Sequence, residues 1–412
     1  MFPSWLIRLR RTAADYPRQF WLLFWGMLLI AVGGSMVWPF LTIYLRRELN
    51  VSLTTVTLIL TLNSVTGLAS MSVAGPAVDR FGRKGAMLLS LSVTGVTLAA
   101  MSVVSTLAGW QVLMAILGGF NPLYRVGADA MVADLIPAEQ RPGAYALLRM
   151  ISNLGVAIGP AVGGFLTVVS YDLAFYAAGS ASLVFALLIL VFGRETLPLR
   201  QAQGLVRESA GYGPVLRDRP FLLFCGTYTL AGMAYSLMMV LLPVYAKEGF
   251  GVPESQYGFI MAANAAMVVL FQYGVTRQTI RHPALRVLAV GSLFYALGVG
   301  SVALGGSFGA FLASMVLLTI GELIMVPTST SLTAALAPAT MRGRYMGIYA
   351  LTWGASVGIG PVLGGMLSDR VGPIAIWYAG AIIGMAAVLG FSLLSRSKRM
   401  ASMSVALSGG PA

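Results

Sequence analysis

The sequence predicts an all-α membrane protein of twelve transmembrane helices in two pseudo-symmetric six-helix halves. Three observations lead there. Of the 412 residues, 58% are hydrophobic and only 10% are charged, against about 25% charged in an average soluble chain. Runs of the ~20 apolar residues needed to cross a bilayer recur along the whole length. The second half of the chain also repeats the first. So little charge cannot keep a soluble surface free of large apolar patches, which excludes a cytosolic enzyme. A single cysteine, Cys225, and a single histidine, His282, exclude a disulfide framework, a cysteine metal site and a His–His metal pair. No nucleotide loop, metal set or catalytic triad is present, so neither an enzyme activity nor a cofactor is expected.

In chain order the apolar runs predict spans at 20–45, 52–77, 84–106, 109–136, 142–168, 173–192, 221–246, 255–276, 284–304, 308–336, 343–367 and 374–395. They are long and continuous, unlike the ten-residue alternations of a β-barrel. The first run is too long for a cleavable signal peptide, and no small-residue cleavage site follows it. With the N-terminus placed in the cytoplasm, 21 of the 27 Lys and Arg fall inside, four fall outside (Arg46, Arg47, Lys247 and Arg370) and two lie within spans. That asymmetry orients both termini to the cytoplasm of a plasma (inner) membrane. The net charge of +13 therefore reports topology, and no nucleic-acid partner is expected. Residues 2–12, with Trp5 and Ile7 beside Arg8, Arg10 and Arg11, read as an interfacial helix.

The only long polar connection, 193–219, separates an N-terminal half (1–192) from a C-terminal half (220–396), with a cytoplasmic tail over 397–412. Sliding the second half back by 201 residues aligns 133–167 with 334–368, and 12 of the 35 positions are identical. They include Pro137/Pro338, Arg141/Arg342, Gly159/Gly360, Pro160/Pro361, Gly163/Gly364 and Gly164/Gly365. Parallel six-span repeats place a binding site near the bilayer midplane, between the halves. A channel or scaffold built by duplication is the other reading of such a repeat.

Two segments carry more than hydropathy. After span two the chain reads Gly75-Pro-Ala-Val-Asp79-Arg80-Phe-Gly82-Arg83-Lys84. Gly75 lets helices approach closely, and Asp79 follows the expected helix end among cations. With Asp134 at the inner end of span four, the group forms either a charge-assisted latch or a solvated basic turn. Span five contains Gly155…Gly159-Pro160…Gly163-Gly164, and span eleven repeats it as Gly358…Gly360-Pro361…Gly364-Gly365. Small residues four apart pack helices backbone to backbone, and Pro160 bends its helix.

The Asp79–Lys84 loop resembles the signature between the second and third helices of the major facilitator superfamily. Gly155–Gly164 resembles the fifth-helix motif of its drug:proton antiporter branch. Asp134-Leu-Ile-Pro137…Arg141…Tyr145…Arg149…Asn153-Leu-Gly155 and Gly321-Glu322-Leu…Pro327 resemble a multidrug-efflux subgroup of that branch. The resemblance covers nearly the whole chain. Three features depart from it: Ala146 stands where the antiporter motif usually has glycine, the fourth-helix arginine motif fits loosely around Arg125, and the second-half copy of the loop, near Gly274 to Arg281, has lost its acid. The resemblance implies the major facilitator fold and alternating access around a central cavity. It also implies that the fifth-helix motif limits leakage and that the Asp79–Arg83 loop steadies an outward-open state.

Ionisable residues inside a membrane are costly and mark function by default. Glu322 lies about fourteen residues from either end of span ten, roughly 20 Å from each mouth, with no base within a turn or two. A carboxyl group in a low-dielectric site favours its neutral form, so it loads a proton when sealed and releases it to water, or pairs with a cationic compound. Its other reading is a protonated acid hydrogen-bonded to a neighbouring helix. Arg125 and Asp129 share a face of span four. Arg149 in span five either joins them in a net-cationic cluster or pairs with Asp134. Polar and aromatic candidates for the cavity wall are Trp38, Tyr44, Asn63, Asn121, Tyr124, Tyr228, Tyr235, Asn264, Gln272 and Trp353, since aromatic faces bind lipophilic cations. Met233, Met238 and Met239 add an adaptable surface. His282, in a loop, is expected to have no role.

The expected function is proton-coupled export of small amphipathic or lipophilic compounds by a monomer whose partners are substrate, protons and lipid. Transport of one metabolite or lipid, and a non-transporting sensor, are the alternatives.

Overall fold

The computed structural model describes residues 16–137, 140–197, 213–338 and 341–397. The segment 2–12, the middle of the 193–219 connection and nearly all of the 397–412 tail lie outside the described residues. Among those described, every element is helical. The predicted first span is two helices, α1 (Arg18–Val37) and α2 (Leu41–Leu49), joined by a 3-10 turn at Trp38–Phe40. Then come α3 (Leu53–Phe81), α4 (Arg83–Ala100), α5 (Leu107–Leu135), α6 (Arg141–Val169) and α7 (Tyr171–Phe192). After a single turn, α8 (Gly213–Leu216), follow α9 (Arg219–Phe250), α10 (Glu254–Thr279), α11 (Ala284–Ser301), α12 (Phe308–Leu336), α13 (Arg342–Arg370) and α14 (Ala375–Leu394). Ten of the helical segments are long and apolar enough to cross a membrane, with α1 and α2 counted together. The two predicted spans outside that set are α4, whose first turn carries Arg83 and Lys84, and α5, whose apolar run holds Gln111, Asn121 and Pro122 before Arg125.

The ends of the helices follow from side-chain chemistry. Thr106, Ser170 and Ser307 each accept a backbone N–H at the start of α5, α7 and α12, and Asp218 does so for α9. Such caps satisfy donors that have no partner within the helix. Pro39, which has no N–H to give, lies in the 3-10 break of the first span. Two expected boundaries are corrected. α3 does not stop at 77 but runs through Pro76 to Phe81, so Asp79 lies within its last turn. Gly82 ends it at φ +81, a conformation that L side chains avoid. α4 stops at Ala100 rather than 106, where β-branched Val103-Val104 and the capping Thr106 begin a new start.

The chain forms two compact units, one of residues 1–38 and 66–206, the other of residues 39–65 and 207–412. In the first, Phe20, Phe24, Tyr124, Met131 and Phe185 build a buried apolar cluster, and α6 lies directly on α1. A Cβ added at Gly155, Gly159 or Gly163 would meet Ala31, Ser35 or Met36 within 3 Å. In the second, α13 lies on α9 in the same way, and a Cβ at Gly360 or Gly364 would meet Ser236 or Leu237 within 3 Å. The hydroxyl of Ser35 donates to the Gly155 carbonyl at 3.2 Å, and that of Ser236 donates to the Ser356 carbonyl at 2.9 Å. Each residue of the second set stands 201 positions after its counterpart, so the offset read from the sequence recurs in the contacts. Gly75 differs from this expectation. A Cβ there would meet nothing within 4 Å, so the close approach expected of that glycine is not made.

Candidate functional site

Glu322 stands beside a close approach of two helices. A Cβ on Gly321 would press within 3 Å of the Tyr295 ring and the Gly291 carbonyl, and one on Gly291 would press into Met325. Only glycine at both positions lets α11 and α12 approach so closely, and the contact fixes the rotation of α12 about its axis. The Glu322 carboxylate then faces α10 and α9. The Asn264 amide of α10 donates to Glu322 Oε2 at 2.9 Å and reaches Thr319 Oγ1 at 2.9 Å. The Tyr235 ring of α9 lines the same cavity as the carboxylate. Among the described residues no Lys, Arg or His forms an ion pair with Glu322.

A cavity of about 280 Å³ opens onto this carboxylate. Its walls are Tyr228, Gly232 and Tyr235 of α9, Tyr295 of α11, Glu322 and Val326 of α12, and Tyr349, Ala350, Thr352 and Trp353 of α13. The rings form two groups on the wall. Tyr228 and Tyr349 lie 5.1 Å apart, Tyr235 and Tyr295 lie 5.5 Å apart, and Tyr235 and Trp353 lie 5.7 Å apart, centroid to centroid. The Tyr349 hydroxyl is tied to Ser329 at 2.7 Å, which fixes that wall. The cavity thus has one acid, several phenols, one indole and no base. It offers a cation both an opposite charge and ring faces, and it offers an anion no positive charge.

Of the cavity candidates from sequence, Tyr228, Tyr235, Trp353 and Asn264 meet at this site. Gln272 lies further along α10 and binds Thr276 and the Leu323 carbonyl. Tyr124 is corrected: it is buried in the apolar cluster of the first unit, edge-on to Phe185 at 5.8 Å. Tyr44 is buried in α2, Asn63 is partly buried in α3, and Trp38 and Asn121 are exposed. Tyr295 and Tyr349 were missed. The available signal for Tyr349 was its four-residue spacing from Trp353, which puts the two on one helix face; no local spacing marks Tyr295.

The second charged group forms as a latch. Arg83, itself buried, donates to Asp79 at 3.0 Å and to Asp134 at 3.2 Å. Thr196 also donates to Asp134, at 3.1 Å, so Asp134 is taken and the proposed Arg149–Asp134 pair is not made. Glu195 was not anticipated. Its two oxygens accept the Arg83 and Lys84 backbone N–H groups at 2.9 and 3.0 Å and so cap α4 from a distant segment. A side chain at Gly82 would occupy the same space as that carboxylate. Partial burial pushes the Glu195 carboxyl up, but N–H bonds from Leu197, Arg83, Lys84 and Thr196 together hold it below the usual carboxylate range. Arg125, Asp129 and Arg149 are exposed. Asp129 lies within electrostatic reach of Arg125, and its carbonyl accepts the Tyr145 hydroxyl at 3.0 Å.

A third polar group lies within the second unit. Asp369, in the last turn of α13, accepts the Leu53 and Thr54 N–H groups at 3.2 and 2.8 Å and the Thr54 hydroxyl at 2.6 Å. Arg46 pairs with Glu248 at 2.6 Å and approaches Asp369 at 3.9 Å.

The family model described as Major Facilitator Superfamily matches residues 23–251 and 224–407. The chain is 28% identical over 348 residues to the multidrug resistance protein MdtH of Shigella boydii, covering 83% of this chain and 84% of that protein. It is 26% identical over 376 residues to the Na(+), Li(+), K(+)/H(+) antiporter of Planococcus maritimus, covering 83% and 86%. A crystal structure of a POT family transporter in complex with 5-aminolevulinic acid superposes with a TM-score of 0.76 at 18% identity, over 93% of this chain and 97% of that one. That likeness establishes the fold.

Proposed function

We propose a function for this chain, which belongs to the major facilitator superfamily and is a multi-pass membrane transporter: it exports small amphipathic or lipophilic compounds in exchange for protons. The observation that carries this reading is the Glu322 cavity. A lone carboxylate, held by an amide and facing aromatic rings, has two competing occupants. A proton neutralises it in place. A lipophilic cation neutralises it through charge while its apolar body lies against Tyr228, Tyr235, Tyr349 and Trp353. One site that cannot hold both at full strength couples their movements, because each weakens the other's binding by the same factor. Similarity to a multidrug resistance protein supports this reading. In the same reading twelve helices cross the inner membrane in two six-helix halves with both termini cytoplasmic, the molecule works as a monomer, and the proton gradient replaces any cofactor. The α1–α6 and α9–α13 seams close backbone against backbone and limit leakage.

Likeness to an alkali-cation/proton antiporter favours a second reading, in which the exchanged cation is Na⁺ or K⁺. The aromatic wall argues for the first, since a small ion gains more from oxygen ligands than from rings. Transport of one specific metabolite would use the same carboxylate.

Proteoliposomes with an imposed pH gradient test these readings, using ethidium, a neutral bisbenzimide and alkali-cation flux in parallel. Gradient-driven movement of both dyes is expected, and Glu322→Gln should bring it to background while leaving the protein folded. Dye transport that persists undiminished in that variant removes Glu322 from the mechanism. Alkali flux without dye transport moves the assignment to the second reading.

A further inference from the structure

Between Glu254 and Asp369 the chain contains one acid, Glu322. The same stretch carries Arg277, Arg281 and Arg286 around the connection from α10 to α11. This is the second-half counterpart of the Asp79 loop, and it lacks that loop's carboxylate. Arg83 has two acids to bind, whereas Arg277, Arg281 and Arg286 are exposed and form no ion pair among the described residues. Three exposed guanidinium groups within ten residues, with no acid paired to them among the described residues, leave a local excess of positive charge that favours an anion.

Beside them a cavity of about 140 Å³ lies between the end of α10, the start of α11 and α12. Its polar wall is Thr276, Thr279, Thr328, Ser331 and His282. Arg277 and Arg281 directly follow the lining residues Thr276 and Ile280, and Arg286 is two residues past the lining Ala284. The Thr276 oxygen already accepts the Gln272 amide at 3.0 Å, which leaves its own O–H to donate. Thr279 and Thr328 already donate to the Thr276 and Ile324 carbonyls, so the Thr276 and Ser331 hydroxyls are the donors left on this wall, and with neighbouring guanidinium forks they suit a phosphate group. The surface next to the cavity is not water-seeking, however. Leu270, Tyr273 and Ile280 of α10 and its end are 71%, 79% and 61% exposed. An apolar face that turns cationic at the end of a helix matches the boundary between acyl chains and headgroups.

We propose that this end of α10–α12 binds the headgroup of an anionic phospholipid, with its phosphodiester against Arg277, Arg281, Arg286 and the hydroxyl-lined cavity and its acyl chains along the exposed face of α10. A free phosphate would use the charge and leave the apolar face open, whereas a lipid uses both. The site is separate from the Glu322 cavity and requires only that the chain spans a membrane. It would tie this connection to the membrane surface, where the first-half loop is tied instead by Asp79, Asp134 and Glu195.

Native mass spectrometry of the full chain, released from micelles containing phosphatidylglycerol and phosphatidylcholine of identical acyl chains, tests the proposal. Preferential retention of phosphatidylglycerol is expected. The triple variant Arg277→Gln, Arg281→Gln, Arg286→Gln should lose roughly tenfold or more of that retention, while Arg217→Gln, Arg219→Gln on another basic segment should keep it. Equal retention of the two lipids, or equal loss in both variants, overturns the site. Displacement by excess inorganic phosphate would make it a site for a soluble anion and overturn the lipid assignment. Should the triple variant fail to fold, a photoreactive phosphatidylglycerol on the unaltered protein decides: labelling of 276–286 and 328–331 supports the site, and labelling confined to other segments overturns it.

Discussion

At the start of α4 a carboxylate from outside the helix stands in for a capping side chain. Glu195 takes two N–H groups that a helix start leaves without partners, and negative charge there is also favoured by the helix dipole. Its folded-state carboxyl is held below the ordinary glutamate range. The stabilisation is therefore present above that range and is lost as pH falls through the lowered value. Thermal melting across acidic pH should show this loss in the unaltered protein and not in Glu195→Gln. The effect should be small, because solvent screens a largely exposed group, and identical profiles would rule it out. Legibility at this scale depended on singularity. Glu322 was legible because it is the one acid in a long apolar stretch, and Asn264 because few amides lie in spans. Glu195 was not, since its partner Arg83 is 112 residues away and nothing in the local pattern marks a carboxylate that caps a remote helix. Tyr295 and Tyr349 look like core or lipid-facing rings until helix packing turns them to one cavity.

Among the helices, the same glycine signal had two outcomes. Gly155, Gly159 and Gly163 make the backbone seam that their spacing predicts, whereas Gly75 faces open space. A missing side chain permits close approach but does not cause it. The neighbouring helix must also present a matching small surface, and α1 does so with Ala31 and Ser35. Gly163→Ala should therefore lower stability by about 1–3 kcal/mol through overpacking against the Met36 backbone, while Gly75→Ala should be neutral or slightly stabilising. Thermal unfolding in detergent of the two variants separates them, and comparable losses in both would contradict the packing argument. Helix existence was legible throughout because hydropathy sets it. The 3-10 break at Trp38–Phe40 and the early stop of α4 were not, since proline and β-branched residues are tolerated within membrane helices and only context decides whether they interrupt one.

For the molecule as a whole, chain order and packing divide the protein differently. The internal repeat follows the order of the chain and separates 1–192 from 220–396. Contacts instead group residues 39–65 with the helices after 207. Within that unit Asp369 caps the first turn of α3 and Arg46 binds Glu248, so the segment 41–54 is fastened to the ends of α9 and α13. Sequence could show that these charges exist but not that they meet, because Asp369 and Thr54 are 315 positions apart. Asp369→Ala removes the acceptor of two helix-start N–H groups and should cost about 0.5–2 kcal/mol, as the loss of a helix cap does. Hydrogen exchange at Leu53 and Thr54 should quicken in that variant, and unchanged exchange there would show that the cap is not what protects them.

Cys225, buried in α9, has a practical consequence of its own. It is the only thiol in 412 residues, and aqueous maleimides and nitroxide reagents have little access to it. The native chain is thus close to a blank background for site-directed labelling. A pair of cysteines placed at Arg149 and Asn121 becomes the principal reactive pair of sulfurs in the molecule. Spectroscopic distances across a working transporter can then be measured without first rebuilding its interior to remove competing sites.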